Sequence, residues 1–178
     1  MDNRDRIRLA SRRLRFLLLS LLFLMPVVDG LVWLNINRFP EMIYKNILPY
    51  FVVPPLPVPA RCLGFVVAMI PIGVAMCGAY HLMRLFALYE QGCIFMLDNV
   101  RCFKKLSYVL IWWFVAGIAY NSLLSVALTL HNPPGQRMIT LELSSSDLTA
   151  LLLGGILAVI AWVMEEGRKL QEDQDFTV

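Results

Sequence analysis

Apolar residues along this chain fall into four long runs, at residues 15–34, 62–88, 106–130 and 148–164, separated by more polar stretches. A helix needs roughly 20 residues to cross a hydrocarbon layer of about 30 Å, and the runs are of that order. Within lipid every backbone amide must be satisfied inside its own segment, so the runs predict helices rather than strands. The second is interrupted only near its end, by His81 and Arg84. The fourth, the shortest, is preceded by Ser144, Ser145, Ser146 and Asp147, whose oxygens suit the first amides of a helix. The expected fold class is an all-α membrane protein, a four-transmembrane-helix bundle forming one domain over residues 1–178. An arm (1–14), a tail (165–178) and a short amphipathic cytoplasmic elbow between spans two and three complete it.

The elbow lies in residues 89–106, YEQGCIFMLDNVRCFKKL. Met96, Val100 and Phe103 recur there at helical spacing, flanked by Phe95, Cys102 and Leu106, while Asp98, Arg101 and Lys105 take the other side. Asp early and Arg/Lys late agree with the helix dipole, and Gly92 breaks the segment from span two. Such a helix either lies at the headgroup boundary or extends span three into the cytoplasm. The tail, EEGRKLQEDQDFTV, continues span four, with Glu165 and Lys169 spaced for an ion pair and fraying expected from Asp175.

The other two connectors are different in kind. Residues 48–59, LPYFVVPPLPVP, hold five prolines, which lack amide donors and bias the chain to an extended course. An apolar segment of this sort is expected at the outer headgroup boundary or covering the span ends. The last connector opens with the turn signal HNPPG at 131–135. Ile139, Leu141 and Leu143 then alternate with Thr140 and Glu142, which predicts a short extended piece. The two outer connectors are expected to pack on each other. Pro71 and Gly73, near the middle of span two, favour a kink.

Charge orients this layout. Arg4, Arg6, Arg8, Arg12, Arg13 and Arg15 precede or open the first span, and Arg84, Arg101, Lys104 and Lys105 surround the elbow. The other connectors carry only Arg38, Lys45 and Arg61, then Arg137. Arg and Lys are retained on the cytoplasmic side, so both termini and the elbow are expected there. The net charge of +3 thus comes from a topology signal in contact with anionic lipid, and no direct nucleic-acid partner is expected. Composition agrees: 58% of residues are hydrophobic and 16% charged, against about 45–50% and about 25% in soluble domains. No small-residue cleavage site follows the first run, and Arg15 stands where a twin-arginine signal wants an apolar residue.

Ionisable residues within spans are the default candidates for chemistry. Asp29 falls near the outer exit of span one, beside Trp33, an expected interface anchor; His81 and Arg84 fall at the opposite interface of span two. No acid–base pair meets at midplane, which argues against a proton relay. On span three Gly117, Asn121, Ser125 and Thr129 recur every four residues, and Ala150, Gly154 and Ala158 do so on span four. Small and polar residues let helices approach and bond, so spans three and four are expected to pack along these stripes. Cys62 and Cys77 lie about 22 Å apart on one helix, and Cys93 and Cys102 match no zinc spacing, so the cysteines read as small apolar fillers. No nucleophile elbow, zinc helix or phosphate loop is present, so neither an enzyme nor a cofactor or metal is expected.

The elbow, the last span and the four-span plan together resemble a family of small bacterial inner-membrane proteins that share a domain of unknown function. The matching residues are Gly92, Ile94, Phe95, Asn99 and Val100, then Glu166, Gly167, Arg168, Leu170, Thr177 and Val178, and the resemblance covers residues 84–178. It implies a multi-pass protein of the bacterial cytoplasmic membrane, often encoded beside a small Cro/repressor-type helix-turn-helix regulator. The leading functional expectation is therefore a non-enzymatic regulatory or interaction protein. It would tether that regulator through Asp98, Arg101, Lys105, Glu166 and Arg168, in a bilayer and as a monomer or homo-oligomer. The alternative is a small transporter, channel or accessory subunit, which a water-lined cavity reaching Asn121 and Asp29 would favour and a dry, sealed bundle would remove.

Overall fold

The computed structural model describes residues 3–49, 52, 54–92, 96–130 and 137–175, with side chains from residue 6 to residue 169. Its elements are α1 (Asn3–Asn35), a 3-10 turn (Ile36–Arg38), α2 (Glu41–Tyr44), α3 (Val58–Glu90), α4 (Leu97–Thr129) and α5 (Ser145–Asp175). Among the described residues there is no strand, and α1, α3, α4 and α5 are long and apolar enough to cross a membrane. Cys93, Ile94, Phe95, the 131–135 turn, Thr177 and Val178 lie outside the described residues.

Each long helix outruns the apolar run that predicts it. At 33 residues, α1, α3 and α4 reach about 50 Å, beyond a hydrocarbon layer of about 30 Å. Nothing in the sequence stops the helix where lipid ends, because Arg and Lys are good helix formers. The basic arm is thus the first turns of α1 and the tail the last turns of α5. The elbow is the start of α4, the second of its two expected placements. Gly92 ends the preceding helix in the left-handed region (φ +82°), its amide donating to the Tyr89 carbonyl at 3.1 Å. Pro57 caps the start of α3, and Pro59 in its first turn costs no helical hydrogen bond.

The long helices pack as a row in chain order, α1 on α3, α3 on α4 and α4 on α5. The start of α1, the end of α5 and the facing ends of α3 and α4 lie at one end, here the terminal end. Arg8 Nε donates to the Glu90 carbonyl there (2.9 Å), and Lys104 Nζ to Glu165 Oε2 (2.6 Å). At the other, connector end, Trp33, Ile36, Leu48, Val52, Leu56, Ala60, Leu124 and Leu128 form the larger core. A smaller one at the terminal end holds Leu85, Cys102 and Leu106.

The proline-rich segment covers the span ends. Leu48, Val52 and Leu56 bury themselves among α1, α3 and α4, and Asn37 holds Leu56 in both directions. Its Nδ2 donates to the Leu56 carbonyl (3.0 Å) and its Oδ1 accepts from the Leu56 amide (2.8 Å). Arg61 Nη1 donates to the Leu34 carbonyl at 3.0 Å, satisfying a C-terminal carbonyl of α1. Trp33 belongs to this core rather than to an interface: it is only 2% exposed, because Gly64 of α3 leaves room for its ring. Cys62 and Cys77 face outward on α3 and fill nothing, whereas Cys102 is buried.

Residues 138–143 run alongside the end of α4 without forming a ladder. Thr129 Oγ1 accepts from the Met138 amide (3.3 Å), Ser125 Oγ accepts from the Thr140 amide (3.1 Å), and Asn121 Nδ2 donates to the Glu142 carbonyl (3.3 Å). An isolated extended segment has no neighbouring strand for its amides, so polar side chains on α4 serve them.

Candidate functional site

An open cavity of about 820 Å³ runs from the connector end toward the middle of the bundle, lined by α1, α3, α4 and the start of α5. Its walls are mostly aliphatic, from residues such as Leu24, Val28, Ile72 and Ala75, with Trp113 and Tyr120 from α4. Asn46 of the first connector and Ser144 and Ser146 of the second line it as well. Two carboxylates reach it, Asp29 and Asp147, and among the described residues that line it there is no Arg, Lys or His.

Each carboxylate is placed by its local sequence. Asp29 sits on α1 one turn before Trp33. Its Oδ2 is buried with no hydrogen-bond partner among the described residues. Asp147 belongs to a capping box at the start of α5. Its Oδ2 accepts from the Ser144 amide (3.1 Å), while Ser144 Oγ accepts from the Ser146 amide (3.3 Å). Asp147 is 5% exposed because it rests on Gly117, where a methyl group would stand 2.5 Å from Oδ1. A carboxylate oxygen held away from water without a donor is costly, and a cation or a proton relieves that cost.

The expected packing stripes therefore separate. Gly117, Asn121, Ser125 and Thr129 receive Asp147 and the second connector rather than the body of α5. The seam between α4 and α5 lies further along, where Gly154 meets Leu110 and the Ser107 carbonyl, and Ser107 Oγ donates to the Gly154 carbonyl at 2.9 Å. Ala150 is buried on this side of α5, but Ala158 is exposed, and Ala161 (0% exposed) takes the place expected for it. The reason is helical pitch: a spacing of four drifts off a 3.6-residue turn, and alternating steps of four and three keep Ala150, Gly154, Leu157 and Ala161 in line.

At the terminal end the elbow and tail lie side by side. Arg101 and Lys105 are exposed; Arg101 Nη1 pairs with Asp98 Oδ1 at 3.3 Å. Glu165, expected to pair with Lys169, bridges instead to Lys104 on α4, and Glu166 pairs with Lys169 at 3.3 Å. The bridge forms because α4 and α5 are adjacent, a contact no single-helix pattern reveals.

Residues 24–178 match the family described as a protein of unknown function, DUF2975. The chain belongs to the DUF2975 family. The match extends well beyond residues 84–178 and takes in both connectors of the DUF2975 chain, with Asp29, Tyr120, Asn121 and Asp147 inside it. No curated protein and no solved structure matches the chain. Of the resemblance residues, Gly92 makes the turn after α3 and Val100 is buried beneath the elbow. Asn99 is 0% exposed and Arg168 half-buried. The buried face of the elbow is thus Asn99, Val100, Cys102 and Leu106, while Met96, expected on it, is exposed.

The DUF2975 cavity was only half visible in the sequence. Asp29 and Asn121 stood out as polar residues within apolar runs. Asp147 read as a helix cap, and Trp113 and Tyr120 were indistinguishable from other span aromatics. Only the neighbourhood of α1, α3 and α4 assembles them.

Proposed function

We propose that this DUF2975 protein is a non-enzymatic protein of the bacterial cytoplasmic membrane. In this reading it binds a small organic cation in the connector-end cavity, as a sensor or carrier. One observation carries the reading: among the described residues the cavity is lined by Asp29 and Asp147 with no basic side chain, and Asp29 Oδ2 is buried without a partner. Trp113 and Tyr120 line it, aromatic rings of the kind that attract a cation, and the aliphatic wall suits an apolar body. The excess of Arg and Lys at the terminal end supports a cytoplasmic position for it, with the cavity then on the outer side.

The test uses the purified full chain and the hydrophobic cation tetraphenylphosphonium, measured by calorimetry, beside an uncharged triphenyl analogue. Expected is binding of the cation only, with Asp29→Asn weakening it by about ten- to a hundredfold, the loss of one charge-assisted contact. Equal binding of the neutral analogue, or an unchanged affinity in Asp29→Asn, would sink the reading. Flux into proteoliposomes then separates carrier from sensor.

A second reading concerns the terminal end and rests on the Lys104–Glu165 bridge, which joins elbow and tail into one surface. There Arg101, Lys105, Glu166 and Arg168 would hold a small helix-turn-helix regulator at the membrane. A regulator encoded next to the gene should co-purify with the full chain and be lost on reversing Arg101 and Lys105. Its absence after mild crosslinking would count against this role.

A further inference from the structure

We infer that the groove between α1 and α3 at the terminal end is a binding site for an anionic phospholipid, headgroup and upper acyl chain together. The groove encloses about 540 Å³ and is lined by Arg12, Arg15, Arg84 and Glu90. Three guanidinium groups thus share one carboxylate, and that carboxylate is already engaged: Arg15 Nη1 stands 3.0 Å from Glu90 Oε2. Arg12 and Arg84 have no hydrogen bond or ion pair among the described residues. A concave surface carrying this uncompensated positive charge attracts an anion, and guanidinium suits phosphate oxygens in particular.

The groove is not charged throughout, and that points to a lipid. Phe16 and Leu19 follow Arg12 by one and two turns of α1, about 6 and about 10 Å along the axis, and Tyr80 lies one turn inside Arg84 on α3. Phe16, Leu19 and Tyr80 are all exposed. Charge therefore stands at the end of the apolar runs, at headgroup depth, and an open apolar strip leads from it toward the membrane interior. An inorganic anion would use only the first part; a phospholipid uses both. Basic recesses between transmembrane helices are a known way to hold acidic headgroups.

The test is native mass spectrometry of the full chain from non-ionic detergent, with phosphatidylglycerol, phosphatidylcholine of the same acyl chains, and inorganic phosphate added in turn. Expected is preferential retention of phosphatidylglycerol. Its affinity should fall about tenfold for each guanidinium removed in Arg12→Gln and Arg84→Gln, about 1.4 kcal/mol per step. Arg12→Lys with Arg84→Lys, which keeps the charge and loses the guanidinium fork, should retain more of it than the Gln variants and less than the parent. Arg6→Gln, the same charge change on exposed α1 surface outside the groove, should leave it unchanged. If the double Gln variant fails to fold by circular dichroism, the single Arg84→Gln variant decides. Equal retention of phosphatidylcholine, an equal loss in Arg6→Gln, or full competition by inorganic phosphate would overturn the proposal.

Discussion

Gly64→Ala is expected to destabilise the protein although alanine is the better helix former. A methyl group on Gly64 would overlap the six-membered ring of Trp33, which is packed flush against the α3 backbone. The ring is confined by a core that includes Ile36 and Ala60, so it has little room to retreat. Overpacking of this kind costs about 1–3 kcal/mol. Trp33→Ala empties the same space and should cost more, about 3–5 kcal/mol. The pair makes a decisive cycle. With Trp33 already removed, Gly64→Ala meets nothing and should become neutral or stabilising by about 0.5–1 kcal/mol, the ordinary advantage of Ala over Gly in a helix. Unfolding in detergent of the four proteins measures this. A Gly64→Ala cost that persists without Trp33 would mean that the two residues do not touch.

The second large effect belongs to the α4–α5 seam. A side chain at Gly154 would begin 3.2 Å from Leu110 Cβ and 3.3 Å from the Ser107 carbonyl oxygen. Leucine there has to drive the helices apart and so stretch the Ser107–Gly154 hydrogen bond. Overpacking contributes about 1–3 kcal/mol, and an interhelical hydrogen bond in a membrane about 0.6 kcal/mol more. Gly155 is the control, since a Cβ there meets nothing within 4 Å. Gly154→Leu should lower the unfolding midpoint clearly and Gly155→Leu hardly at all. If both variants match the parent, the helices do not meet at Gly154.

What the sequence made legible follows from how many residues a feature needs. The four spans each rest on a run of apolar residues, and lipid leaves the backbone only one solution, so they could be read directly. The α4–α5 contact was legible through Gly154, because a glycine in a span signals close approach. Its partner was not: nothing in the row of Gly117, Asn121, Ser125 and Thr129 says whether it faces a helix or an extended chain. Helices and connectors both accept hydroxyl and amide bonds, and the choice depends on where α5 begins. Trp33 was misplaced for a similar reason. A tryptophan near a span end usually sits at the interface, and only the absent side chain at Gly64, across the bundle, draws it inward. Asp147 shows a third limit, since one carboxylate both caps a helix and lines a cavity, and the local motif accounts for it completely.

Asn37 and the prolines of the first connector have a consequence in conformational entropy. Ordering a loop between Asn37 and Leu56, 19 residues apart, carries a length-dependent closure cost of about 2.6 kcal/mol. Ordering each residue's backbone adds about 1–2 kcal/mol more. Pro49, Pro54, Pro55, Pro57 and Pro59 enter folding with φ already restricted, so the disordered chain they leave has less freedom to lose. Two hydrogen bonds made by one side-chain amide and three buried apolar side chains then tie Leu48, Val52 and Leu56 to the span ends. The course of the connector's described residues is in this sense prepared in the unfolded chain, and the native contacts have only to select it.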